Sequence, residues 1–109
     1  MLALAGNPKI FFYNAAADLR KGFEGLSHLV ESHFQLSVTD CAYFVFLNKA
    51  RDKIKVLYWD VDGLAIWYKR LEKGRFVKIH ENQVIMERRE LLMMLEGVTP
   101  KKVQKRFKI

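Results

Sequence analysis

The residues best suited to chemistry lie between Asn48 and Phe76. Asn48 to Lys55 places Lys49, Arg51, Lys53 and Lys55 within eight residues. Tyr58 and Trp59 follow. The return segment carries Trp67, Tyr68, Lys69 and Arg70, then Lys73 and Arg75. Lysine and arginine neutralise phosphates and release counterions, and aromatic rings stack on unpaired bases. A two-stranded basic ribbon also fits a major groove. The pattern therefore points to a polyanion, DNA first. An ordinary sheet would use the same residues differently, with aromatics toward the core and charges toward water; for Trp59 and Trp67 both uses stay open. Asp60 and Asp62 are paired carboxylates that could hold a divalent cation. No third acid or histidine accompanies them, and Asp60-Val61-Asp62-Gly63 reads more simply as a hairpin turn, with Asp-Gly suited to the positive φ such turns demand. His28, His33 and His80 lack metal-ligand spacing. No Ser–His–Asp pattern, P-loop or Rossmann glycine motif occurs. The sequence specifies no catalytic set, no metal site and no cofactor.

These residues need strands and turns to position them. Tyr43–Leu47 is a run of apolar residues, as in a buried strand. Asn48–Asp52 is a polar turn and Lys53–Trp59 the next strand. Leu64–Leu71 returns after the Asp-Gly turn. Lys73-Gly74 turns again, toward a fourth short strand at Phe76–Ile79. In strands, Lys53 and Lys55 share a face with Leu57 and Trp59; on the return strand Trp67 and Lys69 share one face, Tyr68 and Arg70 the other. Upstream, Ile10–Phe12 reads as a short strand. A helix is expected over Asp18–Phe34, with Leu19, Phe23, Leu26, Leu29, Val30 and His33 on one face and Asn14 or Asp18 as cap. Gly22 and Gly25 within it imply a close neighbour or an irregular start. Glu87–Glu96 reads as a short helix stopped by Gly97. Its apolar run Leu91–Leu95 either docks on the sheet or meets a partner. The expected fold is α+β: an antiparallel meander of about four strands packed with an N-terminal helix and a short C-terminal helix.

Composition bounds the function. The 109 residues are 50% hydrophobic, enough for one domain with a real core. Residues 1–48 hold three basic and four acidic groups; residues 49–109 hold 16 and 8. Such a basic half favours a polyanionic partner. Cys41 is the sole cysteine, so an intrachain disulfide and a Cys-rich zinc site are excluded; it reads as a small buried residue. No stretch suits a bilayer span, and Met1–Ala5 is too short for a signal peptide. A cytoplasmic protein, nucleoid-associated when bound to DNA, is expected.

Three blocks resemble a known family. Asp18-Leu19-Arg20-Lys21-Gly22-Phe23-Glu24-Gly25-Leu26 is similar to D-M-R-K-G-F-D-G-L. Val45 to Asp60 resembles V-F-x-N-R-R-R-D-R-x-K-x-L-x-W-D. Asp62-Gly63-Leu64 and Lys69-Arg70-Leu71-Glu72-Lys73-Gly74-Arg75-Phe76 resemble D-G-L and K-R-L-E-x-G-x-F. The family they resemble is that of the TnpB (Orf2) accessory proteins of insertion-sequence-66 bacterial transposons, distinct from the RNA-guided nuclease of the same name. Ala50 departs from it, since many relatives carry a basic residue there. The resemblance covers about Ile10 to Gly97. A single domain like that family's is expected over residues 1–97, and the run of basic residues beyond it reads as a mobile tail over 98–109. The resemblance implies a non-catalytic role in transposition beside a DDE-type transposase and a second small accessory protein. With the charge pattern, it makes Arg20, Lys21, Asn48, Lys49, Arg51, Lys53, Lys55, Lys69, Arg70, Lys73 and Arg75 the expected DNA contacts. Neither a membrane nor a small-molecule substrate is expected. The alternative is a protein-interaction module that positions the transposase with little DNA contact.

Overall fold

A computed structural model describes residues 8–40, 42–77 and 84–96. The chain is α+β. Its strands are β1 (Lys9–Phe12), β2 (Ala42–Leu47), β3 (Lys53–Asp60), β4 (Gly63–Arg70) and β5 (Ile85–Met86). Its helices are α1 (Phe23–Leu29), prolonged by a π-helical turn at Val30–Phe34, and α2 (Arg88–Leu95). The strands form one sheet in the order β4-β3-β2-β1-β5.

The meander over β2, β3 and β4 is antiparallel as expected. The sheet as a whole is mixed, because β1 pairs parallel to β2, Ile10 opposite Tyr43 and Phe12 opposite Val45. A parallel neighbour needs a long crossover, and α1 supplies it. The expected fourth strand at Phe76–Ile79 is not formed at Phe76 and Val77; Lys78 and Ile79 lie outside the described residues, as do Met1–Ala5, Cys41, His80 and the tail. The fifth strand is instead β5, antiparallel to β1.

Each sheet face carries a core. On one side α1 covers Phe44, Phe46 and Leu57 with Leu26 and Val30. Phe11 stacks on Phe44 at 5.6 Å, and Phe34 closes on both rings. On the other side α2 buries Leu91, Met94 and Leu95 against Ile10, Phe12, Val45, Ile54, Val56 and Phe76. A sheet covered on both faces explains why β2 reads as a continuous apolar run. The apolar stripe of α2 is spent mainly on this packing, with Leu92 packed at its margin. Its start is fixed by a capping box in which Glu87 and Glu90 exchange bonds with backbone N–H groups.

The first helix starts later than its periodicity suggests. Asp18 turns its carboxylate onto its own chain, accepting from the Arg20 N–H at 3.1 Å, while its carbonyl accepts from the Lys21 N–H. Short polar side chains compete with helix in this way. Gly22 becomes the N-cap residue, without a side-chain cap, and the helix begins at Phe23. Gly25 meets a close neighbour: an added Cβ there would lie 2.8 Å from the Lys21 Cβ.

The hairpin tip also departs from expectation. Asp60 pairs with Gly63, and the positive φ falls on Val61, at 56°, not on Gly63. A β-branched side chain in the left-handed region costs on the order of 1–2 kcal/mol. The Val61 side chain offsets little of this, being 91% exposed. Val61→Gly should therefore stabilise the domain by about 1 kcal/mol and raise Tm by a few degrees. An unchanged or lower Tm in a thermal melt would refute the strain.

Candidate nucleic-acid interface

The basic groups gather at the end of the hairpin away from its tip. Asn48 builds that end. Its Nδ2 donates to the Asp52 carboxylate at 2.6 Å, and its Oδ1 accepts from the Lys53 N–H at 3.0 Å. Its backbone carbonyl accepts from Arg51 N–H at 3.1 Å. The side chain that the sequence counts among the DNA contacts thus braces the turn at both ends of its amide. Arg51 takes a left-handed φ of 59°, which reverses the chain between Lys49 and Lys53. The Asn48 bond, then the charges of Lys53 and Arg70, hold the Asp52 carboxyl below the ordinary carboxylate value.

Two backbone bonds fasten the segment after β4 to this turn. Leu71 N–H donates to the Asp52 carbonyl at 2.7 Å, and Phe76 N–H to the Arg51 carbonyl at 2.6 Å. The buried Phe76 ring anchors the far side of the loop. Lys73 and Arg75, distant in sequence, therefore join Lys49, Arg51 and Lys53, with exposed Arg70 opposite Lys53 in the register. Arg70 shares its charge with Glu72 at 3.3 Å. Exposed ion pairs contribute little to stability, so this one leaves Arg70 available to a stronger anion.

Register decides which residues face together. Lys53 lies opposite Arg70 and Lys55 opposite Tyr68, all on the α1 face. The Lys55 ammonium sits 4.9 Å from the Tyr68 ring centre and donates to the Lys21 carbonyl at 3.1 Å. This bond ties the Asp18–Gly22 turn to the hairpin. Arg20 stands beside it, its Nε and Nη2 donating to Asp18 at 3.0 and 2.9 Å. The pairing holds the Asp18 carboxyl down to about 2. Between these parts lies an open cavity of about 390 Å³, bounded by Ala17–Arg20, Asn48, Lys53 and Tyr68.

Lys69 is not part of this assembly. It pairs with buried Ile54 on the opposite face and reaches the Leu95 carbonyl at the end of α2, at 3.5 Å. The tryptophans also part company. Trp67 packs at the margin of the α2-side core. Trp59, on the other face near the tip, is 39% exposed and donates to the Val61 carbonyl at 3.2 Å. Tyr68 is the aromatic that stands among the basic groups. The sequence places it on one face with Arg70, and the register brings that face to Lys53 and Lys55. His33 packs edge-on to Tyr13, at 4.8 Å. Among the described residues, no three His, Cys, Asp or Glu side chains cluster as metal ligands, and no helix is long and apolar enough to cross a membrane.

The chain matches the family model "IS66 Orf2 like protein" over residues 8–105. It belongs to that family. Membership places it among the proteins of IS66 insertion sequences, with an accessory role in transposition as the function the family suggests. Two curated relatives come from Sinorhizobium fredii strain NBRC 101917 / NGR234. The uncharacterised protein y4hO is 32% identical over 77 residues, covering 71% of this chain and 67% of its own. The uncharacterised protein y4jC is 27% identical over 100 residues, covering 90% and 86%. No solved structure matches the chain.

Proposed function

We propose that this IS66 Orf2-like protein is a non-catalytic transposition factor that binds DNA through the basic end of its hairpin and assists a separate DDE-type transposase. The observation that carries the reading is the fastening of the 71–76 segment to the 48–53 turn. It brings Lys49, Arg51, Lys53, Arg70, Lys73 and Arg75 to one end of a rigid sheet, with Asp52 committed to Asn48. A rigid array of cations on exposed turns suits phosphate contact, which positions a protein on a duplex without reading its sequence. Arg20, Lys21 and Lys55 extend the array along the α1 face. The acidic pair Asp60 and Asp62 lies at the opposite end of the hairpin from this array.

A salt-dependent titration against duplex DNA of element-end and random sequence tests the reading. If about five phosphates are neutralised, log K should fall linearly with log salt with a slope of about −4.5. Absence of binding at low salt, or a flat salt dependence, would overturn it. A second reading, docking to the transposase, draws support from the exposed apolar groups Val61, Trp59 and Phe23 on the described surface. Capture of the transposase from nuclease-treated extract by wild type, lost in Val61→Asp, would favour it.

A further inference from the structure

The cavity beside the hairpin has a chemistry that phosphate contact alone does not use. We propose that it takes one unpaired nucleotide, with the base against Tyr68 and the phosphate between Arg20 and Lys53. This rests on the DNA-binding reading above and adds a second mode to it.

Three features support the assignment. The cavity, about 390 Å³, falls within the range of small-molecule sites, roughly 300–1,000 Å³. Its walls mix an aromatic ring, the apolar residues Ala17 and Leu19, the Asn48 amide, two cations and the Asp18 carboxylate, which accepts from Arg20. A free phosphate would need only the cations; an apolar ligand would need neither. A nucleotide matches both halves.

The groups are also held in place before any ligand arrives. Tyr68 is 52% exposed, and the Lys55 ammonium over its ring is itself anchored on the Lys21 carbonyl. Arg20 is pinned by Asp18 through Nε and Nη2, which leaves the Nη1 donors of a guanidinium whose side chain is 91% exposed. Asn48, at the cavity edge, has each end of its amide engaged within the turn. The site therefore offers stacking and charge, with little to distinguish one base from another, and every base has a face to stack. A paired base cannot reach Tyr68 without leaving its stack, so the ligand is an unpaired nucleotide, as at a frayed or cut strand end.

Two duplexes of one sequence decide the matter, one fully paired and one carrying a single bulged 2-aminopurine. Wild type should bind the bulged duplex roughly ten-fold more tightly, as one stacked base allows, with quenched 2-aminopurine fluorescence. Tyr68→Ala should erase the preference, read as the ratio of the two affinities, and the quenching, and Tyr68→Phe should retain both. Equal affinity of wild type for the two duplexes would overturn the inference and leave the DNA-binding reading standing. So would a preference that survives Tyr68→Ala. Failure to bind the paired duplex at all would instead strike the underlying reading.

Discussion

Replacing Lys49, Arg51 and Lys53 together by glutamine should weaken duplex DNA binding by roughly 10²–10³-fold at 0.1 M salt. The size follows from counterion release. Each phosphate contact contributes a slope of about −0.9 in log K against log salt, so three contacts contribute about −2.7. Extrapolated from 1 M, where that term vanishes, to 0.1 M, this is a factor of about 500. The salt slope of the variant should be shallower by the same 2.7. The two observables are linked, and that linkage makes the test strict. A loss of affinity with an unchanged slope would mean that the variant is misfolded or has lost a neutral contact. Unchanged affinity and slope would remove the turn from the interface altogether. A matching Lys69→Gln variant should have little effect, because Lys69 points to the α2 face and lies against the Leu95 carbonyl.

Why Lys69 and Lys53 differ could not be read from charge counts. Strand alternation shows that Trp67 and Lys69 share a face and that Tyr68 and Arg70 share the other. It does not show which of these meets Lys53 and Lys55, since one residue of register slip exchanges the faces. The turn Asp60–Gly63 sets that register, and its left-handed residue is Val61, an unfavourable type for the position. The core strands were legible because Tyr43–Leu47 and Lys53–Trp59 carry strong apolar patterns. The parallel β1 was less so. A strand, a helix and a strand in succession resemble a crossover unit, but four residues at Lys9–Phe12 carry little pattern beside the long hairpin.

The helix boundary and the joined loop were hidden for different physical reasons. Periodicity extends back to Leu19 because Leu19 is buried, yet it is buried from a turn that Asp18 closes. Phe76 looked like strand because it is apolar; it is buried as a plug, with its N–H donating to Arg51 instead of to a neighbouring strand. That bond spans 25 positions in sequence, and no local spacing announces it. The candidate site was thus legible in its residue types and not in its assembly.

Asn48→Ala should show how far the assembly depends on one side chain. It removes the acceptor for the half-buried Lys53 N–H, and an unsatisfied backbone donor costs about 1–3 kcal/mol. It also frees Asp52, whose carboxyl the Asn48 bond holds below its ordinary value. The sign of the pH effect follows from that direction. A carboxyl depressed in the folded state stabilises the fold above its unfolded value of 3.8, and that contribution fades as pH falls through the folded value. Wild type should therefore lose stability on acidification below about 4. Asn48→Ala should lose less over the same window, since its Asp52 is already less favoured. Asn48→Asp sharpens the test. It keeps an oxygen for the Lys53 N–H but sets a second carboxylate against Asp52, and like charges at hydrogen-bonding distance raise the value of one of the pair. This variant should be weakest near pH 7 and should recover as pH is lowered toward 4, opposite in trend to wild type. Chemical denaturation at about pH 7, 5, 4 and 3 measures all three. Both variants should also bind duplex DNA less tightly, because Lys49 and Arg51 ride on the turn that Asn48 braces. Parallel pH profiles in the three proteins would show that the amide positions nothing.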